Sequence, residues 1–217
     1  MPDYQLEQDF GSDRGLIIIG LDEVGRGPWA GPVAAGAAWL PPECLSSRLV
    51  QEIDDSKALS KRRRGILAAE LWVQATVAIG WASVAEIDEL NILAASMLAM
   101  RRAAMSLDES LAIAPSGVLV DGNRLPDLPW PARAVVKGDA RSLSIAAASI
   151  VAKVARDQEM VRLAELHPGY GWERNAGYGT AEHRLAIAAI GLTEHHRRSF
   201  KPIREAERSD GPGHKTG

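Results

Sequence analysis

The chain of 217 residues has a single cysteine, Cys44, so an intramolecular disulfide and a cysteine-rich metal centre are both excluded. Such sparing use fits a reducing compartment. Phenylalanine and tyrosine are scarce, two and three residues against six tryptophans, so packing must rely on aliphatic side chains and on close approach at alanine. No apolar run nears the roughly 20 residues that span a bilayer. The opening stretch MPDYQLEQDFGSDRG is polar and acidic, unlike a secretory signal. A cytoplasmic location is expected. A large positive excess is also missing. The net charge of −3 rules out a chain coated in basic residues, but not a nucleic-acid partner, because local distribution matters more than the sum. The basic clusters Lys61–Arg64, Arg101-Arg102 and Arg197-Arg198 with Lys201, each taken alone, read most simply as solvated helix faces. Neither G-x-x-x-x-G-K-[ST] nor H-E-x-x-H occurs, so a P-loop is excluded. His183, His195 and His196 read as surface or phosphate-contacting groups.

What is present is ordinary globular usage, 46% hydrophobic and 24% charged residues, in a length suited to one sizeable domain. Residues 1–14 read as a flexible N-terminal arm, 15–204 as the domain with a helical C-terminal part, and 205–217 as a disordered tail. Strands are expected at about 15–22, 31–40, 75–83, 118–121 and 132–137. Helices are expected at about 61–72, 91–107, 142–166 and 180–190, the last with Thr180 as N-cap and Gly191 beyond its end. The first two strands are too close for a crossover helix and should pair antiparallel, whereas later strands separated by helices can run parallel. The fold class is α/β, a mixed sheet flanked by helices.

Three of these strands deliver an acid at or just after their end: Asp22, Asp121 and Asp139. Glu23 adds a fourth carboxylate beside Asp22. In open α/β sheets the carboxyl edge is where sites form. Gathered carboxylates repel one another, and hard cations such as Mg²⁺ and Mn²⁺, which take oxygen ligands, relieve that repulsion. Two such ions clamp the attacking and leaving oxygens of an in-line phosphoryl displacement. The plainer reading makes Asp139 a helix cap and Asp121 a turn residue at Gly122-Asn123. After Glu23 comes Gly25-Arg26-Gly27. Its bare backbone either makes a plain turn or lets a ligand approach N–H and C=O groups closely. A ribose 2′-hydroxyl, which separates RNA from DNA, is one such ligand.

These stretches resemble a known family. "GLDEVGRGPWAGPVAAGA" is similar to the first signature of the type 2 ribonucleases H, and specifically of bacterial ribonuclease HII. "DDSKALS", "NILAASMLAM", "VDGN", "KGDARSLSIAAASIVAKVARD", "NAGYGTAEH" and "HHRRSF" resemble further blocks in family order, over about residues 15–203. The resemblance implies a ribonuclease H-like mixed sheet. It also implies cleavage of the RNA strand of RNA–DNA hybrids and cleavage 5′ of ribonucleotides embedded in duplex DNA, using two Mg²⁺ or Mn²⁺ ions. A role in removing ribonucleotides from DNA follows. By motif position Asp22, Glu23, Asp121 and Asp139 are the catalytic, metal-holding carboxylates. Gly25, Arg26 and Gly27 are the loop that reads the 2′-hydroxyl, Tyr178 stacks on the sugar next to the cut, and Lys57 touches a phosphate. Outside the resemblance, Tyr178 reads equally as a packed core residue, and Lys57 as a surface partner of Asp54 or Asp55.

The sequence departs from the family pattern at Trp29 and Trp172. It also has Ala176 where many members carry a lysine before GYGT, which would remove one phosphate contact. The extra N-terminal domain of the sister type, ribonuclease HIII, is not expected. The tail GPGHKTG shows no clear clamp-binding segment, and a monomer is expected. Two alternatives stand beside this reading. Another metal-dependent nuclease of the same fold, resolvase- or transposase-like, would share the acids without needing the Gly-Arg-Gly loop. A non-catalytic hybrid-binding module would tolerate loss of an acid.

Overall fold

Branched aliphatic and small residues build the sheet. In the computed structural model, described over residues 1–41, 45–53 and 59–209, the strands are β1 (Ile18–Val24), β2 (Val33–Trp39), β3 (Thr76–Ala82), β4 (Gly117–Asp121) and β5 (Ala132–Val135). β1 pairs antiparallel with β2, as their short connection requires. β4 lies parallel to β1, and β5 parallel to β4. The order is β3-β2-β1-β4-β5. The helices are α1 (Gln5–Phe10), α2 (Ser47–Glu52), α3 (Lys61–Gln74), α4 (Val84–Leu90), α5 (Ile92–Asp108), α6 (Leu143–Leu166), α7 (Trp172–Asn175), α8 (Ala181–Ile190) and α9 (Lys201–Ser209). No helix among the described residues is long and apolar enough to cross a membrane.

The chain divides into two compact units where the sequence suggests one domain over 15–204. The first comprises Met1–Val24, Ala34–Trp81 and Ser96–Ala155, and holds the sheet and the first half of α6. Here the helix lies unusually close to the strands. A Cβ on Gly20 would overlap the backbone at Ser144 and Ile145, and one on Gly36 the carbonyl of Ala148. The run Ala146-Ala147-Ala148-Ser149 is fully or almost fully buried at this contact. Small residues on both sides permit that approach, and dense packing is where most burial energy resides. The second unit comprises Gly25–Val33, Ala82–Ala95 and the chain from Arg156 onward. Its core gathers Ala30, Met160, Leu163, Tyr170, Trp172, Ile187 and Ile203. Trp172 is completely buried and stacks on Tyr170 with centroids 4.9 Å apart.

The structure differs from the sequence reading at both ends. Residues 1–14 are not a loose arm. They form α1 and a 3₁₀ turn, and Leu6 and Glu7 are buried. The Glu7 carboxylate accepts from the Ser144 backbone N–H at 2.9 Å and from the hydroxyls of Ser142 and Ser144 at 2.6 and 2.7 Å. An acid at the N-terminus of α6 is favoured by its unpaired N–H groups and its dipole, and this fastens the segment. At the other end, α9 carries the helix through 205–209, into the span read as tail. α4 was not expected either, although Ser83 and Glu86 form a complete capping box at its start. Cys44 lies outside the described residues.

Candidate active site

The parallel register sets Leu21 opposite Val120. The next residue on each strand is an acid, Asp22 on β1 and Asp121 on β4. Asp139 sits in a 3₁₀ turn, Gly138–Ala140, just beyond β5. That turn is tied to β4, because the Gly138 N–H donates to the Asp121 carboxylate at 2.6 Å. Glu23 follows Asp22, and its N–H donates to Asp22 Oδ1 at 2.7 Å. Asp22 and Asp139 are buried, and Glu23 and Asp121 are half-buried.

The four carboxylates form one electrostatic group. Burial pushes the Asp22 carboxyl well above the usual range; Glu23, Asp121 and Asp139 push it the same way, and a hydrogen bond with Ser149 of α6 offsets part of this. Asp121 is raised too, first by burial and then by Asp139, against the stabilising N–H groups of Gly138, Gly122 and Asp139. The plainer role for Asp139 is already filled, since Ser142 Oγ accepts from the Ile145 N–H at 3.2 Å and caps α6. These donors are all oxygen, which suits Mg²⁺ or Mn²⁺ and disfavours zinc. No three of the acids bring ligand oxygens within 4.8 Å of one another.

The Gly-Arg-Gly loop belongs to the second unit. Its two glycines serve different ends. Gly25 has φ +94° and is buried, and a Cβ there would overlap the Arg156 guanidinium. Its missing side chain therefore answers to the protein's own packing. Gly27 is exposed, and its Cβ would lie 3.3 Å from the Tyr178 ring. Loop and tyrosine are thus neighbours through Gly27. Tyr178 is 47% exposed, which removes the packed-core reading.

Two arginines, neither read from the sequence as a buried group, hold this loop from within. Arg197 donates from Nη2 to the carbonyls of Gly25 (2.6 Å) and Pro32 (3.2 Å), from Nη1 to Arg26 (3.0 Å) and from Nε to Gly31 (2.9 Å). Arg156 donates to the carbonyls of Pro32, Ala176 and Ala30 at 3.0, 3.1 and 3.3 Å. Both are fully buried, and among the described residues neither has a carboxylate as a hydrogen-bond partner. Burial lowers them to about 9 for Arg197 and about 10 for Arg156, so both stay cationic at neutral pH. Arg197 is therefore no solvated helix face. Its sequence signal, adjacency to Arg198, is indistinguishable from a surface pair; Arg198 is indeed exposed and bound to Glu207.

His183 and His196 are buried as well, not surface groups. The Thr193 N–H donates to His196 Nδ1 at 2.9 Å, His196 Nε2 meets His183 Nε2 at 3.1 Å, and His183 Nδ1 meets the Tyr178 carbonyl at 3.0 Å. The Trp172 indole donates to His183 Nε2 at 3.1 Å. These partners assign the tautomers, with Nε2–H on His196 and Nδ1–H on His183. Burial pushes His196 down to about 3 and lowers His183, so both are neutral at pH 7. Lys57 lies outside the described residues.

A profile of the ribonuclease HII family matches residues 19–203. The chain belongs to the ribonuclease HII family. It is a hydrolase, an endonuclease of the ribonuclease H type that acts on RNA–DNA hybrids. It is similar to ribonuclease HII of Paramagnetospirillum magneticum, with 56% identity over 203 residues, 94% of this chain and 97% of the relative. Ribonuclease HII of Rhodospirillum rubrum is 55% identical over 218 residues, 99% of this chain and 96% of the relative. Among solved structures, the ribonuclease H2 of Pyrococcus horikoshii OT3 superposes with a TM-score of 0.71 at 26% identity, covering 89% of this chain and 98% of that one. That superposition agrees with the mixed sheet described above.

Proposed function

We propose that Asp22, Glu23, Asp121 and Asp139 are the catalytic carboxylates of this ribonuclease HII and together hold two divalent ions, Mg²⁺ or Mn²⁺, at the scissile phosphate. The observation that supports this most is the joint action of the other three acids on buried Asp22. Bound ions of this class supply an activated water and neutralise charge on the phosphate. The chain's own part is to fix four oxygen-bearing side chains on β1, at the end of β4 and in the turn beyond β5, with Asp121 anchored by backbone N–H groups and Asp22 hydrogen-bonded to Ser149 of α6. No serine or cysteine nucleophile is required.

Gly25-Arg26-Gly27 and Tyr178 are the substrate-reading elements in this proposal. Gly25 follows Glu23 by two residues, a reach of at most about 7 Å, so chain connectivity alone keeps the loop near that acid. The carbonyls of Gly25 and Arg26 are committed to Arg197. The exposed backbone at Gly27 remains for a ribose hydroxyl, and the exposed Tyr178 ring offers a stacking surface beside it. The enzyme then cleaves continuous hybrids and also 5′ of single ribonucleotides in duplex DNA, leaving 3′-OH and 5′-phosphate ends, and so serves ribonucleotide removal. Lys57 is a proposed phosphate contact.

One set of assays tests both parts. Three duplexes are used: all-DNA, RNA–DNA, and DNA with one ribonucleotide. Parent enzyme should cut the last two, lose activity in EDTA and regain it with either ion. Gly27→Ala leaves Arg156 and Arg197 untouched. With Tyr178→Ala, worth about 1–3 kcal/mol if the ring stacks, it should lower kcat/KM more on the single ribonucleotide than on the continuous hybrid, where other registers compensate. Equal losses on both substrates would assign the loop to general binding. Cleavage of the all-DNA duplex would favour the resolvase-like alternative.

A further inference from the structure

Among the described residues, one group brings three metal-ligating atoms within 4.8 Å of one another, and it is not drawn from the acids: His167, Glu194 and His195. His167 Nε2 and His195 Nε2 each stand 3.8 Å from Glu194 Oε1. The two imidazoles meet edge to face with centroids 4.9 Å apart. Both are held in place. His167 continues the α6 ladder through its N–H to the Leu163 carbonyl at 2.9 Å. The His195 N–H donates to Thr193 Oγ1 at 3.2 Å, and its carbonyl accepts from the Gly31 N–H at 2.9 Å. The Trp172 ring lies beside both imidazoles, at 6.0 and 6.3 Å. The site stays open to solvent through Glu194.

Two imidazole nitrogens and one carboxylate oxygen form a donor set that zinc takes, leaving a fourth position for water. With bonds of about 2.0–2.2 Å in a tetrahedral arrangement, ligand atoms lie roughly 3.3–3.6 Å apart. The 3.8 Å separations are already close to that. Mg²⁺ and Mn²⁺, which prefer all-oxygen ligands, are poorly served here. We infer that His167, Glu194 and His195 form a zinc-class metal site whose donor chemistry sets it apart from the carboxylates. The site would pin the end of α6 to the segment that carries His196 and Arg197. That segment holds the Gly25 and Arg26 carbonyls, so the metal braces the frame of the loop.

The test is direct zinc titration of the full chain, stripped with chelator, against a chromophoric competitor. Asp22→Asn with Asp121→Asn serves as the background, so that zinc on the acids is not counted. One equivalent should bind with a micromolar or tighter Kd. His167→Asn and His195→Asn should each weaken binding by about tenfold or more, and Glu194→Gln by a smaller factor. Zinc should raise Tm in the background protein and not in His167→Asn. His167 is beyond the last turn of α6, so His167→Asn should melt like its parent without metal, and it decides the matter if His195→Asn misfolds. Absence of stoichiometric zinc at tens of micromolar, or binding unchanged by His167→Asn, overturns the inference.

Discussion

The two units bury opposite charge in opposite ways. In the sheet unit, acids press on one another, and among the described residues no cation figures among the groups that shift Asp22 or Asp121. In the helical unit, two guanidiniums are buried among carbonyls with no acid among the described residues bonded to them. A carboxylate can take a proton or an ion, so its burial leaves a vacancy of charge that a ligand can fill. An arginine keeps its charge, so the backbone must be shaped around its five donors. The first arrangement makes a site and the second makes a frame.

The largest expected effect comes from breaking the site. Asp22→Asn should lower kcat by about 10³-fold or more while the apo fold becomes more stable. The folded-state pKa of Asp22 is raised, so the native protein holds a proton that the unfolded chain gives up. Stability therefore falls as pH rises from the unfolded value through the folded one. Asparagine removes that cost, by about 1 kcal/mol or a few degrees of Tm at pH 7 without divalent ions. A melting curve and a turnover assay check both halves. A destabilised apo variant would mean that Asp22 is structural.

Breaking the frame should do the reverse, costing stability first. Arg197→Met leaves the Gly25, Arg26 and Gly31 carbonyls without their donor, while Pro32 keeps Arg156, and should destabilise by about 2–4 kcal/mol in urea unfolding. Arg197→Lys keeps the charge but not the fork. It should retain most stability while losing selectivity for the single ribonucleotide relative to the hybrid. Parent-like selectivity in Arg197→Lys would show that charge alone suffices.

This contrast also marks what was legible in the sequence. The acids could be found because each follows a branched run, although only Asp121 ends its strand: β1 continues through Asp22 and Glu23 to Val24, and Asp139 lies in the turn beyond β5. All five strands and the helices from Lys61, Ile92, Leu143 and Ala181 follow from periodicity and caps. The docking of α1 could not be read, because it depends on Glu7 meeting the start of α6 some 135 residues away. Buried Arg156 and Arg197 looked like any charged helix or loop residue, since nothing local says that a guanidinium faces carbonyls. Gly25 and Gly27 looked equivalent, and only packing separates the one that Arg156 requires from the one left open.

Acid should sharpen the comparison, because it acts on the two units with opposite signs. Protonation relieves the Asp22 cluster. His196, held at about 3 against an ordinary 6.5, contributes stability that is full above pH 6.5 and is lost as pH falls towards 3. At about 1.4 kcal/mol per pH unit for one proton, its contribution drops by about 2 kcal/mol between pH 6.5 and 5. Segment-resolved hydrogen exchange at pH 7 and 5 should show α8 and the Thr193–Arg197 segment opening more readily, while β1 and β4 keep or gain protection. Uniform loss of protection in both would remove the distinction.

The smallest effect lies in the frame, at Ala176. This alanine has φ +49°, a left-handed conformation that costs an L-residue roughly 1–2 kcal/mol. The conformation is imposed, since the Ala176 carbonyl accepts from Arg156 and the adjacent Gly177 N–H donates to the Asn175 side chain at 2.9 Å. Ala176→Gly removes the strain but adds freedom to the unfolded chain, so a gain of about 0.5–1 kcal/mol is expected in urea unfolding. Its activity and salt dependence should match the parent. Ala176→Lys keeps the strain and restores the side chain common before GYGT, so its stability should match the parent. If the new ammonium reaches a phosphate, the slope of log affinity against log salt steepens by about 0.9. A steeper slope in Ala176→Gly would tie the salt response to backbone relaxation instead. An unchanged slope in Ala176→Lys would place position 176 in the frame and not at the nucleic acid.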